Sequence, residues 1–175
     1  MKDSVIEKIK KIKIVICDVD GVLTNGSIGY GNYKDEYREF NVHDGFGFIL
    51  LKKAGIKTAI ITSKSSNAVQ RRTKELFIDI VCQNAKKKLS VFKKVLKKNK
   101  LKPEEACYMG DDLLDLSSLK AAGFSVSVPQ ANEDVKKSVD YITGKNAGSG
   151  AFRELVELIL KTQNKYSEIL EYYSS

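Results

Sequence analysis

The feature that most restricts the fold of this chain is a short run with no polar residue in it, Ile14-Val15-Ile16-Cys17. It is rich in β-branched side chains and does not alternate with polar ones. That pattern belongs to a strand buried on both faces, as in a parallel sheet, not to a half-solvated antiparallel one. The run stops abruptly at Asp18-Val19-Asp20-Gly21. Ligands of parallel sheets gather at the carboxyl ends of the strands. Two carboxylates therefore stand where chemistry is usually done, and Gly21 frees the chain to turn just beyond them. So close a pair suits a hard cation bound through oxygen. It also suits a division of labour between a nucleophile and an acid/base. Capping of a turn would explain the pair taken alone, so the decision rests on the rest of the chain.

Beyond this strand, two short alternating segments, Ser27 to Tyr30 and Tyr37 to Asn41, flank the polar stretch Gly31 to Glu36 and read as a hairpin. Helix-like periodicity then covers Gly45 to Ala54, Asn67 to Leu76, Leu89 to Asn99 and Leu113 to Ala122. Strand-like runs at Thr58–Ile61, Ile78–Cys82, Ala106–Met109 and Phe124–Val128 separate them. Such alternation predicts an α/β fold, a doubly wound Rossmann-like parallel sheet with a short β-hairpin insertion. Asn132 opens another short helix, and an amphipathic helix runs from Ala151 to Thr162. At the amino terminus, Ser4 and Glu7 have the spacing of a capping box for a first helix. The expectation is a single domain over residues 1–175, with 164–175 as a polar, tyrosine-bearing tail.

Several function classes are disfavoured by composition. No apolar stretch reaches the length of a membrane span, and Met1 to Lys13 has no secretory core. Cys17, Cys82 and Cys107 lack metal-ligand spacing and are expected as reduced core residues in a cytoplasmic protein. The net charge of +8 comes from 30 basic against 22 acidic residues. The lysines are spread along helical segments without interleaved aromatics, so a solvated surface is expected, with no nucleic-acid or membrane partner.

Three further polar landmarks follow strands. Ala59-Ile60-Ile61 ends in Thr62-Ser63, whose hydroxyl and backbone N–H groups suit phosphate oxygens or, alternatively, a helix cap. Among Lys86, Lys87 and Lys88, helical spacing aligns Lys88 with Phe92 and Val95 on the inward face, whereas Lys86 aligns with Ser90, Lys93 and Lys97. Ala106-Cys107-Tyr108-Met109 ends in Gly110-Asp111-Asp112-Leu113-Leu114-Asp115. Paired acids repel unless something positive binds. With Asp18 they make an all-oxygen site suited to Mg²⁺.

The order D-x-D, Thr, Lys, G-D-D-x-x-D, each piece after its own strand, resembles the haloacid dehalogenase superfamily of phosphatases. The resemblance implies Asp18 as the nucleophile that forms an aspartyl-phosphate and Asp20 as the acid/base. It implies Thr62, Ser63 and Lys88 as phosphate ligands. It also implies Mg²⁺ held by Asp18, the backbone carbonyl of Asp20 and Asp111, with Asp112 in support. The interval from Asp20 to Thr62 leaves no room for a cap domain. Together with Asp18-Val-Asp-Gly-Val-Leu-Thr-Asn-Gly, Phe40-Asn-Val-His-Asp-Gly-Phe-Gly and Gly150-Ala-Phe-Arg-Glu, this resembles the capless 3-deoxy-D-manno-octulosonate 8-phosphate phosphatase family.

That family implies a homotetramer built on the hairpin, with active sites shared between subunits and a carboxy-terminal tail able to reach a neighbouring site. It implies a small phosphorylated sugar acid from lipopolysaccharide synthesis as substrate, contacted by Thr24, His43, Lys64 and Arg72. The family commonly has arginine where His43 stands, Gly-Arg where Ser63-Lys64 stands, and arginine at Ser149. Lysine replaces arginine only as a point charge, so a nine-carbon ulosonic acid 9-phosphate is the alternative substrate. The same residues would also fit a non-catalytic oligomerisation module of this fold, or a signalling receiver domain. A receiver, however, places its acidic pair upstream of the phospho-acceptor.

Overall fold

Strand β1 (Ile14–Cys17) is buried along its whole length and lies at the middle of the molecule. The computed structural model describes residues 2–32 and 36–175. Before β1 comes α1 (Asp3–Lys10); after it come β2 (Gly29–Tyr30), β3 (Glu36–Tyr37), α2 (Val42–Lys53), β4 (Lys57–Ile61), α3 (Asn67–Glu75) and β5 (Ile80–Cys82). The second half runs α4 (Lys88–Lys98), a 3₁₀ turn, β6 (Ala106–Met109), α5 (Leu116–Ala121), β7 (Phe124–Ser127), α6 (Glu133–Lys136), β8 (Tyr141–Ile142), α7 (Ala151–Thr162) and α8 (Tyr166–Ser174).

Six strands form one parallel sheet in the order β5-β4-β1-β6-β7-β8. In register, Ile16 lies between Ala59 and Tyr108. From β1 the chain moves out through β4 to β5, then crosses back to β6 on the other side of β1. Right-handed crossovers put the helices of the two directions on opposite faces. Accordingly α1, α2 and α7 pack together over one face, and α4 packs with α5 over the other. The Phe48 and Phe152 rings stack at 4.2 Å between α2 and α7. The strand order reverses at β1, so a crevice opens at its carboxyl end, where α/β sheets bind ligands.

The doubly wound sheet and its hairpin are those expected, with local differences. β2 and β3 pair antiparallel, and residues 33–35 of the expected turn lie outside the described residues. The Ser4–Glu7 capping box does not form. The helix already begins at Asp3 after Lys2, so Ser4 sits inside the first turn, and Glu7 pairs with Lys10 instead. α5 starts at Leu116 rather than Leu113, because residues 112–115 fold into a turn closed by the Asp115 N–H on the Asp112 carbonyl at 2.8 Å. β5 is shorter than expected because the Ile78 N–H closes the end of α3 on the Thr73 carbonyl. Cys17 and Cys107 are core residues, whereas Cys82, on the edge strand, is only half-buried. Within the polar tail, residues 166–174 are helical, with Ile169 buried and the Tyr173 ring edge-on to Phe46 at 5.3 Å. No helix among the described residues is long and apolar enough to cross a membrane.

Candidate active site

At the end of β1 the Asp18 N–H still bonds across to the Met109 carbonyl of β6, at 3.0 Å. The ladder thus fixes the backbone of Asp18 before its side chain enters the crevice. The turn that follows depends on Gly21. Its φ is +82°, and a Cβ there would stand 2.0 Å from Asp111 Oδ2. Only glycine allows both that conformation and that approach of the two acidic loops.

An open cleft results, lined by Asp18, Asp20, Thr62, Lys64, Asp111 and Asp115 among others. Its floor is a buried charge network. The Lys88 ammonium, 1% exposed, donates to Asp18 Oδ2 and, at 2.7 Å, to Asp115 Oδ1. The same Asp115 oxygen accepts the Tyr108 hydroxyl at 2.8 Å. The inward lysine expected from helical spacing is Lys88, at the first turn of α4. Burial by itself would lower its pKa, but Asp18 and Asp115 outweigh burial and the net direction is upward, so it stays an ammonium.

Three carboxylates, those of Asp18, Asp111 and Asp115, each offer an oxygen within 4.8 Å of the others. One lysine cannot neutralise three acids. Burial first and the Asp115 charge second push Asp18 up to about 6, against the pull of Lys88. Burial, then Asp115 and Asp18, push Asp111 up to about 7. Asp111 Oδ1 and Asp115 Oδ2 are buried without a hydrogen-bond partner among the described residues. Unpaired buried carboxylate oxygens are costly. An all-oxygen, cation-deficient cluster of this kind fits Mg²⁺.

The family model for haloacid dehalogenase-like hydrolases matches residues 32–155. The chain belongs to that family. This hydrolase is 38% identical over 164 residues, 94% of its length and 87% of the relative's, to the 3-deoxy-D-manno-octulosonate 8-phosphate phosphatase of Escherichia coli K12. Its backbone matches that of the Moraxella catarrhalis enzyme of the same name with a TM-score of 0.96 and 41% identity, over 99% of both chains. The Moraxella structure is a complex with magnesium ion, phosphate ion and a KDO molecule. A cobalt-bound form of the Haemophilus influenzae enzyme matches at 0.87, with 35% identity over 90% of this chain and 92% of that one. This hydrolase is a phosphatase and not a signalling receiver domain.

Of the residues expected at the site, Asp18, Asp20, Thr62, Ser63, Lys64, Asp111 and Asp112 line the cleft, and Lys88 meets Asp18 beneath it. Asp112 is exposed and turns its Oδ1 back to the Leu113 N–H at 2.7 Å, so the third member of the acidic cluster is Asp115. Thr24, His43 and Arg72 do not line the cleft of the single chain. Thr24 is buried, and its hydroxyl accepts the Gly26 N–H at 3.2 Å. His43 stands at the start of α2. Arg72 lies over Gly45 of α2 and pairs with Glu75.

Two residues of the site are not singled out by sequence pattern. Asp115 closes the G-D-D-x-x-D motif without an expected role; its spacing, three and four residues after the acidic pair, is the signal that could have found it. Arg38 carries no signal at all. Its side chain is fully buried, and its guanidinium forks onto Asp20 through Nε at 2.7 Å and Nη2 at 3.2 Å. The bond to Asp20 is the main cause that raises its pKa.

Proposed function

We propose that this phosphatase hydrolyses 3-deoxy-D-manno-octulosonate 8-phosphate to the free sugar acid and phosphate. The observation that carries the chemistry is the buried Lys88 shared between Asp18 and Asp115 at the cleft floor, beside carboxylate oxygens without partners. The substrate rests on likeness to proteins of that name along nearly the whole chain.

In the proposed mechanism Asp18 and Asp111, with the backbone carbonyl of Asp20, would hold Mg²⁺. Bound there, the cation supplies positive charge to the acids and to the phosphoryl oxygens. Phosphoryl transfer is mostly positioning and charge neutralisation. Lys88 and the Thr62–Ser63 backbone and hydroxyls bind and orient the phosphoryl group. An Asp18 oxygen attacks phosphorus and the bond to the sugar oxygen breaks. That oxygen takes the proton carried by Asp20, and an aspartyl-phosphate remains. Water then attacks the same phosphorus and gives its proton to the Asp20 carboxylate. Asp18 leaves as a carboxylate, and phosphate departs.

The enzyme is proposed to act as a homotetramer with shared active sites. The exposed apolar side chains of Tyr30, Tyr37 and Val42 around the hairpin support this. Three free thiols suit a reducing compartment such as the cytoplasm.

Phosphate release with Mg²⁺ from the eight-carbon and nine-carbon ulosonic acid phosphates, with a hexose phosphate as control, tests the substrate. A preference for the eight-carbon ester supports the proposal. A preference for the nine-carbon ester overturns it and makes His43, Lys64 and Ser149 changes of specificity.

A further inference from the structure

The acid/base assigned to Asp20 must deliver a proton to one oxygen and later recover one from water, so its carboxyl has to be held in place through both protonation states. Asp20 is only partly buried and stands on a turn. Its partner is different in kind. Arg38 reaches in from the end of the hairpin, with no exposed side-chain surface, and engages both Asp20 oxygens. Its remaining fork arm, Nη1, donates to Glu36 Oε1 at 2.6 Å and to Ser66 Oγ at 2.8 Å. Ser66 is itself fixed. Its N–H bonds to Gln83 Oε1 at 2.6 Å, and it caps α3.

Resting on the reading of Asp20 as the acid/base, we infer that Arg38 is a positioning residue for proton transfer. A guanidinium's planar fork fixes a carboxyl in two directions, which a point charge does not. The two contacts are unequal, so Oδ1 at 2.7 Å is the anchored oxygen and Oδ2 at 3.2 Å is the one free to exchange the proton. When Asp20 is neutral, Glu36 and Ser66 keep the guanidinium compensated and in place, and it recaptures the carboxylate afterwards. The hairpin thereby sets the geometry of the acid/base as well as bearing an exposed surface.

The test compares kcat/KM, which reports formation of the aspartyl-phosphate, for two Mg²⁺-loaded reactions. One uses an alkyl ester, 3-deoxy-D-manno-octulosonate 8-phosphate, whose leaving oxygen needs a proton. The other uses p-nitrophenyl phosphate, whose leaving group hardly does. General acid catalysis is worth about 10²- to 10⁴-fold. Arg38→Met, which fills the space without a donor, is expected to lose about tenfold to a hundredfold on the alkyl ester and less than about threefold on the aryl ester. Arg38→Lys should recover part of the loss. An equal loss on both esters, or no loss, overturns the inference. Should Arg38→Met fail to fold, Arg38→Gln is measured in its place, with the same selective loss expected and the same equal loss fatal. Asp20→Asn serves as control. If it shows no selective loss on the alkyl ester, the acid/base reading of Asp20 fails, not the geometry of Arg38.

Discussion

Replacing the nucleophile is expected to stabilise this enzyme when no divalent cation is present. In the crowded cluster the Asp18 carboxyl sits at about 6 instead of its ordinary 3.8. The folded state therefore binds a proton there that the unfolded chain has released, and stability falls as pH rises between these two values. The difference of about two pKa units, at about 1.4 kcal/mol each, sets an upper bound of about 3 kcal/mol on the cost of an ionised Asp18. Asp18→Asn removes that charge and leaves Lys88 paired with Asp115. Urea unfolding in EDTA should show the variant more stable than wild type by up to about 3 kcal/mol at pH 7.5, with the difference closing as pH falls towards 4. Turnover should be abolished and the stabilisation by Mg²⁺ strongly reduced. A variant less stable than wild type at pH 7.5, or a difference that does not change with pH, would refute this account of the cluster's electrostatics.

Lys88→Met removes the opposite charge and leaves three acids facing one another, so in EDTA at pH 7.5 it should cost about 3–5 kcal/mol in urea unfolding, partly restored by Mg²⁺. Tyr108→Phe deletes only the hydroxyl that holds Asp115, and a loss of about 1 kcal/mol with a few-fold fall in kcat is expected. Gly21→Ala forces a side chain onto Asp111 and a left-handed conformation on alanine; a strain of about 1–2 kcal/mol in thermal unfolding should accompany a much larger loss of activity.

Much of this phosphatase was legible from pattern alone, because burial on both faces and helical periodicity leave direct marks on a sequence. Ile14–Cys17 announced a central parallel strand, and Asp18 then fell at its carboxyl end as a matter of chain direction. Lys88 was separable from Lys86 and Lys87 because only its helical phase matched Phe92 and Val95. The Ser4 cap and the start of α5 were not legible, since a cap depends on which residue first leaves helical geometry and α5 begins only after Asp115 has turned inward.

Local sequence therefore determined the order of strands and helices and the chemical types brought to one edge of the sheet. Tertiary structure decided which of those groups meet. Asp115 displaces Asp112 from the acidic cluster because it alone is carried to the buried lysine. Arg38 reaches Asp20 across eighteen residues of chain because the segment that follows β3 returns to the loop after β1. Such contacts follow from the closure of long loops around a finished sheet, and no local periodicity encodes them.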